Sequence, residues 1–181
     1  EGLIKHLGLT NFDTAHLNIV LESGIQVVSN QICFSLLDQR AAINMTRLCE
    51  EKGVKILAFG TLAGGFLTEK WLRKPEPKPD DLTTWSQMKY KRFTDSAGGW
   101  SRFQHVLSAT AAVAKKHGVS IPAVSTRYLL DQPFVGGVIL GARLGRSAHI
   151  EDTLACGVGI CDRKMVELVI QEGQAAIGRL A

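Results

Sequence analysis

The sequence has 181 residues, of which 45% are hydrophobic and 21% are charged, and its formal net charge is +4. This length and composition are typical of a single soluble globular domain with a sizeable core. The excess of Lys and Arg is small, and no dense basic run carries interleaved aromatic residues, which argues against nucleic-acid binding. No signal peptide is visible, and the longest apolar runs have the length of strands rather than of membrane spans.

The four cysteines do not follow the spacing of a zinc site, and a chain with this much apolar sequence does not need a disulfide framework. We therefore expect reduced thiols and a cytoplasmic protein without a metal site. A redox pair formed by Cys156 and Cys161 is the less favoured alternative. The four cysteines are Cys33, Cys49, Cys156 and Cys161.

A strand, a polar turn and a helix follow one another at the start of the chain. Residues 4–12, IKHLGLTNF, predict a short strand that ends in Thr10 and Asn11. Asp13 is a suitable N-cap for a helix over 14–22. This order of elements is the unit of a βαβ protein, in which ligands are held at the carboxyl ends of the strands.

The same unit recurs along the chain. A second strand is predicted at 25–29, with Asn30 and Gln31 at its end, followed by a helix over 41–52 and a third strand at 54–59. The helix is expected to turn one apolar side toward the sheet. The inward residues of this helix are predicted to be Ile43, Leu48 and Cys49.

Residues 71–99 interrupt the alternation, and their three prolines and polar runs predict an irregular insert that is either a lid or disordered. Alternation of apolar strands with helices predicts a parallel sheet covered by helices. Four such strands form half of a closed barrel, which needs eight. The remaining elements are predicted to be a strand at 134–140 and helices at 100–117, 120–131, 148–155 and 162–180.

Polar and aromatic side chains follow the predicted strands. The amides of Asn11, Asn30 and Gln31 can donate to and accept from a flat carboxamide such as that of nicotinamide. Helix capping by Asn11 and loop hydrogen bonding by Gln31 are the alternatives. Phe59 either stacks on a flat heterocycle or belongs to the core.

Two further stretches suggest an anionic ligand. The small residues 63–65 allow a pyrophosphate to approach the backbone, although such a turn also occurs without a ligand. Arg143 and Arg146 lie beside a predicted helix N-terminus, which is a favourable place for a phosphate, and His149 and Asp152 can reach the same ligand. The 2′-phosphate of NADP is the natural anion for this pair, and two solvated arginines are the alternative.

No catalytic constellation is found. Reduction of a carbonyl needs an acid beside the carbonyl oxygen. Tyr90 falls in the predicted insert, Tyr128 inside a predicted helix and His6 in the middle of a predicted strand, so none of them is expected at a strand end.

Four segments, in order and over almost the whole chain, resemble the C-terminal half of the aldo-keto reductases, which are (β/α)8 barrels that use NADPH. GLTNF resembles the end of that family's fifth strand, and VVSNQICFSLLD resembles its sixth-strand segment. ILAFGTLAGGFLTEK is similar to the seventh-strand segment, and VILGARLGRSAHIED is similar to the eighth strand with the following helix.

The resemblance implies a cofactor-binding role for each of these segments. The nicotinamide carboxamide would be bound by Thr10, Asn11 and Gln31, and Phe59 would take the stacking position that the family more often gives to Tyr. The pyrophosphate would lie on Gly60, Thr61, Leu62, Ala63, Gly64, Gly65 and Leu67. The adenosine and its phosphate would be held by the segment 143–149, chiefly Arg143, Arg146 and His149, together with Asp152. Thr61 replaces a frequent Pro, and Thr153 replaces a usual Asn.

The family's catalytic Asp, Tyr, Lys and His lie in its first four βα units, which this sequence does not contain. The resemblance therefore implies one half-barrel domain over 1–181 that supplies the cofactor-binding half of an NADPH-dependent aldehyde or ketone reductase and is inactive alone. Either a missing N-terminal half or self-association would cover the open sheet. The alternative function is a cofactor-sensing scaffold subunit, similar to channel-associated β subunits. No nucleic-acid or membrane partner is expected.

Overall fold

The computed structural model describes residues 2–141 of the chain. The helices predicted at 148–155 and 162–180 lie outside the described residues, as do the predicted phosphate-binding residues of the 143–152 segment. Within residues 2–141, no helix is long and apolar enough to cross a membrane.

A four-stranded sheet organises the described part of the chain. All neighbouring strands are parallel, and their spatial order is the order in the sequence. This confirms the predicted parallel sheet, and the simple order is that of a barrel segment rather than of a doubly wound sheet. The strands are β1 (Leu7–Thr10), β2 (Val27–Cys33), β3 (Lys55–Phe59) and β4 (Val135–Ile139).

The helices begin and end at residues suited to those positions. Asp13, Thr84 and Ser120 accept hydrogen bonds from backbone N–H groups in the first turns of the helices that they precede. Gly53 and Gly118 end two helices in the left-handed conformation. The helices are α1 (Thr14–Glu22), α2 (Asn44–Lys52), α3 (Trp85–Ser96), α4 (Gly99–His117) and α5 (Ile121–Leu130).

Several boundaries differ from the sequence-based expectation. Strand β1 begins at Leu7 instead of residue 4, so His6 precedes the strand and does not lie in its middle. Strand β2 continues to Cys33 instead of stopping at residue 29, because Cys33 still pairs with Phe59 of β3. Asn30 therefore lies inside the strand, as does Gln31, and neither follows its end. Ile43 was expected on the inner side of α2 but is 75% exposed, because it precedes the first helical residue and does not share the buried face of the helix.

The 71–99 insert is not irregular throughout, because α3 occupies its second half. This helix was missed because its buried residues are Gln87, Tyr90 and Thr94, which do not form an aliphatic stripe. The sequence does contain one signal for this helix. Gln87 follows Thr84 by three residues, and this is the spacing of a capping box, which marks the start of a helix.

Two apolar cores hold these elements. The first lies between the sheet and the helices on one of its faces and includes Leu17, Ile56 and Leu129. The second is an aromatic cluster built around Phe66. Because Cys33 packs against the second core, this core lies beside the carboxyl end of the sheet. It fixes the loop after β3 and the helices α3 and α4 at that end.

Candidate functional site

The carboxyl end of β1 brings three predicted site residues together. Thr10 is paired with Gln31 in the register of the sheet, and the backbone N–H of Asn11 donates to the carbonyl of Gln31 at 2.8 Å. Asn11 has a φ of 58°, a left-handed conformation that Asn tolerates better than most residues. The exposed side chains of Thr10 and Asn11 thus lie next to the half-buried Gln31, which is an arrangement of donors and acceptors able to bind a planar amide.

Asn30 has a structural role at the same place. Its side chain is completely buried, and Nδ2 donates to the carbonyl of Phe12 at 2.9 Å and lies 3.7 Å from Sδ of Met45. Adjacent residues of a strand point to opposite faces, so Asn30 faces the helices while Gln31 faces the other side of the sheet. The Asn30 amide therefore ties the turn after β1 to β2.

Removal of the Asn30 amide is expected to destabilise this turn. The Asn30→Ala variant leaves the carbonyl of Phe12 without its side-chain donor and opens a space at a completely buried position, so we expect the free energy of unfolding to fall by about 1–3 kcal/mol. Urea unfolding followed by circular dichroism measures the change. Gln31→Ala is the matched control, since this neighbouring amide is only half-buried and should change stability much less. Equal losses for the two variants would contradict the structural role of Asn30.

The carboxyl end of β3 carries Phe59, which is paired with Cys33 on one side and with Ile139 on the other. The ammonium of Lys89 lies 5.4 Å from the centre of the Phe59 ring. Phe59 is thus half-buried at the rim of the sheet and is approached by a cation from α3. A ring in this position can take part in stacking on a flat ligand.

The loop after β3 is compact and partly folded upon itself. Its centre, Ala63–Gly65, forms one short 3₁₀ turn, and the backbone N–H groups of Ala63 and Gly65 donate to carbonyls within the loop. The side chains of Thr61, Ala63 and Leu67 are buried. A ligand at this loop would therefore meet backbone and glycine surface rather than these side chains.

Helix α3 packs directly on this loop. A Cβ atom added to Gly60 would overlap the hydroxyl of Tyr90, and one added to Gly64 would lie 2.8 Å from the Tyr90 ring and 2.9 Å from the carbonyl oxygen of Ser86. Both glycines also have positive φ angles, 69° and 64°. Close packing of α3 therefore requires glycine at these two positions whether or not a pyrophosphate is bound.

Tyr90 lies in a different place from the one predicted. It was expected in an irregular insert away from the strand ends, but it is buried against the loop that follows β3. Burial raises the pKa of its phenol well above the usual value, and the nearby Cys33 and Asp38 add to the shift. The phenol thus stays protonated at neutral pH.

Three further ionisable groups near Tyr90 either stay uncharged or neutralise one another. Burial and the Asp38 carboxylate raise the pKa of the Cys33 thiol to about 11, so it is not a thiolate at neutral pH. Burial alone would raise the pKa of Asp38, but hydrogen bonds from Arg40 outweigh it and lower that pKa. The Arg40 guanidinium contacts both carboxylate oxygens of Asp38, at 2.7 and 2.6 Å. Among residues 2–141, no cluster of His, Cys, Asp or Glu can hold a metal ion.

Four further residues were predicted to belong to the site. Arg143, Arg146, His149 and Asp152 lie outside the described residues. Tyr128, which was not selected as a site residue, lies inside α5 as predicted and is partly exposed.

Several known proteins are similar to this chain in sequence. The family model described as "Aldo/keto reductase family" matches residues 1–168. The chain is 32% identical over 130 residues to flagellar radial spoke protein 5 of Chlamydomonas reinhardtii, covering 71% of the chain and 24% of that protein. It is 28% identical over 147 residues to the protein tas of Escherichia coli K12, covering 78% of the chain and 40% of that protein.

A solved structure gives the same result at the level of the fold. A glycerol dehydrogenase of Gluconobacter oxydans superposes with a TM-score of 0.69 at 22% identity, over 94% of this chain and 49% of that protein. The chain thus spans half or less of the length of these three proteins. A match of one family model to almost the whole chain, together with the half-barrel sheet, shows that the chain belongs to the aldo/keto reductase family.

Proposed function

We propose that this chain is the cofactor-binding half of an NADPH-dependent oxidoreductase that reduces an aldehyde or ketone. The observation that carries the proposal is that Thr10 and Asn11, at the end of β1, lie beside Gln31 of β2, while Phe59 ends the next strand, β3. In α/β folds this end of the sheet is where ligands bind.

The residues of this edge suit the nicotinamide end of a dinucleotide. The side chains of Asn11 and Gln31 offer both donors and acceptors to the carboxamide, and Phe59 offers an apolar ring to the nicotinamide face. The bound cofactor would supply the hydride. The chain's own residues would orient the nicotinamide and exclude water from one of its faces.

The preference for NADP over NAD rests on the sequence. Arg143 and Arg146 are the pair proposed to bind the 2′-phosphate, because guanidinium groups form bidentate hydrogen bonds with phosphate. His149 and Asp152 are proposed to contact the adenosine.

The catalytic groups are proposed to come from the other half of the barrel. Within residues 2–141, β1 and β4 each have a hydrogen-bonded neighbour on one side only. Leu7 on β1, Val28 on β2 and Ile139 on β4 are about 40% exposed. Open strand edges and exposed strand side chains need a cover, which we assign to an N-terminal half-barrel, with a second copy of this chain as the alternative. An Asp, Tyr, Lys and His of that half would then act at the carbonyl.

Binding of NADPH tests the proposed function. We expect saturable quenching of tryptophan fluorescence by NADPH, and a rise in Kd of about tenfold in Arg143→Ala because a charge-assisted contact is lost. The same variant should bind NADH almost as the parent chain does. Arg47→Ala, which removes an exposed arginine from α2, is the charge control.

Two results would contradict the proposal. One is an equal rise in Kd for NADH and for NADPH in Arg143→Ala, since Arg143 would then not contact the 2′-phosphate, which NADH lacks. The other is steady NADPH oxidation by the pure chain with an aldehyde, since the catalytic groups would then lie within these residues.

A scaffold function is the second candidate. It is favoured by the similarity to a flagellar radial spoke protein, whose name denotes a component of an assembly. In that case the dinucleotide site would sense the cofactor or stabilise the fold without turnover. A Tyr and a Lys at the family's catalytic positions in the other half favour the enzyme, and their absence favours the scaffold.

A further inference from the structure

Lys89 is a cation at the carboxyl edge of the sheet that the sequence analysis did not select. It is exposed on α3, and its ammonium lies 5.4 Å from the centre of the Phe59 ring and 5.2 Å from that of Tyr90. Phe59 is the proposed nicotinamide platform, and Tyr90 packs on Gly60 and Gly64 of the loop proposed for the pyrophosphate. Lys89 thus lies between the proposed position of the nicotinamide ring and the proposed position of the pyrophosphate.

The position of Lys89 is fixed by the packing of its neighbours. Tyr90 is buried, and Ser86 approaches Gly64 through its carbonyl oxygen, so α3 cannot slide along the loop. The buried Gln87 accepts a hydrogen bond from the backbone N–H of Thr83 at 3.0 Å, which secures the start of the helix. The Lys89 side chain is therefore presented to the rim by a well-packed helix.

Lys89 differs from two nearby cations, Lys91 and Arg40, because each of those is held in an ion pair. Lys91 on the same helix pairs with Glu76 and Asp95, and Arg40 pairs with Asp38. Lys89 pairs with no carboxylate of residues 2–141 and rests only on aromatic rings. A cation–π contact at an exposed site is weak, so the ammonium can turn toward a bound anion.

We propose that Lys89 is a cofactor-binding residue whose ammonium neutralises the pyrophosphate of the dinucleotide as it passes from Phe59 to the loop after β3. The assignment rests on the proposed function, and it adds one residue of the 71–99 insert to the proposed cofactor-binding residues. It gives the 71–99 segment a chemical role at the site, since α3 brings a positive charge to a loop whose own side chains are small or buried. A diphosphate is the chemistry that an unpaired ammonium above a glycine loop fits best.

Calorimetric titration of the whole chain with NADPH and with inorganic pyrophosphate tests this role. In Lys89→Gln we expect Kd for both ligands to rise about tenfold, because one charge-assisted hydrogen bond is lost. Lys89→Arg should restore binding to within about threefold of the parent chain, because the charge is kept. Lys116→Gln is the matched control: it makes the same change of charge at the far end of α4, about 25 Å along that helix from its start beside α3.

The outcomes separate this inference from the proposed function. NADPH binding that is saturable but unchanged in Lys89→Gln overturns the role of Lys89 and leaves the proposed function intact. Pyrophosphate binding that depends on Lys89, without NADPH binding, supports an anion site at Lys89 and overturns the dinucleotide assignment. If the parent chain binds neither ligand, both proposals are overturned.

Discussion

Replacing Phe66 by Ala is expected to lower the free energy of unfolding by about 3–5 kcal/mol, the range for loss of a fully buried aromatic side chain. The Phe66 ring is completely buried, with its centre 5.0 Å from that of Trp71 and 6.1 Å from those of Trp100 and Phe103. No neighbour can fill the space without moving, because these rings also pack on one another. The loop after β3 and α4 would lose the contact that joins them.

Urea unfolding, followed by tryptophan fluorescence and by far-ultraviolet circular dichroism, measures this effect. Trp71 and Trp100 flank the cavity, so their emission should also shift in the folded variant. Trp85→Ala is the aromatic control, since Trp85 is 85% exposed and its loss should change stability by less than about 0.5 kcal/mol. A Phe66→Ala variant as stable as Trp85→Ala would show that the aromatic cluster does not support the fold.

Replacing Gly64 by Ala is expected to destabilise the chain by about 2–5 kcal/mol. A left-handed conformation costs a residue with a Cβ roughly 1–2 kcal/mol, and crowding in a packed region adds a further 1–3 kcal/mol. The crowding arises because the new Cβ would lie 2.9 Å from the backbone oxygen of Ser86, which can retreat only if α3 moves. The variant should therefore loosen α3 first.

Hydrogen exchange gives the local readout for Gly64→Ala, since the amides of α3 should exchange faster than in the parent chain while those of β2 stay protected. Gly65→Ala is the matched control, because that neighbour also has a positive φ but its Cβ would meet no atom within 4 Å. It should lose only the conformational cost of roughly 1–2 kcal/mol. Identical behaviour of the two variants would mean that α3 does not press on the loop.

The sequence was sufficient for the elements whose signals are local. Helix α1 begins and ends where predicted, because Asp13 caps it and its apolar residues keep a helical spacing. The parallel sheet followed from the alternation of apolar strands with helices, and the meeting of Asn11 with Gln31 followed from the parallel order. The length of β2 was underestimated because polar residues continue the strand, one of them made tolerable by a buried side-chain hydrogen bond.

The part of the site formed by α3 was not accessible to the same reasoning. Its buried face combines an amide, a phenol and a hydroxyl, which no apolar periodicity reveals. Even with the helix predicted, the contact of Lys89 with Phe59 depends on how the helix is placed across the loop after β3. Tertiary packing of the aromatic cluster sets that placement, and no spacing in the sequence specifies it.

The order of the strands has a consequence for how the chain folds. β1 can pair with β2, and β2 with β3, after closure of one short helical connection each, so these contacts are local in sequence. β4 reaches its place beside β3 only across the whole insert and two further helices, a much longer loop to close. Proteins rich in local contacts fold fast, and those with distant pairings fold slowly. We therefore expect β1, β2 and β3 to pair first, and the docking of β4 to limit the folding rate.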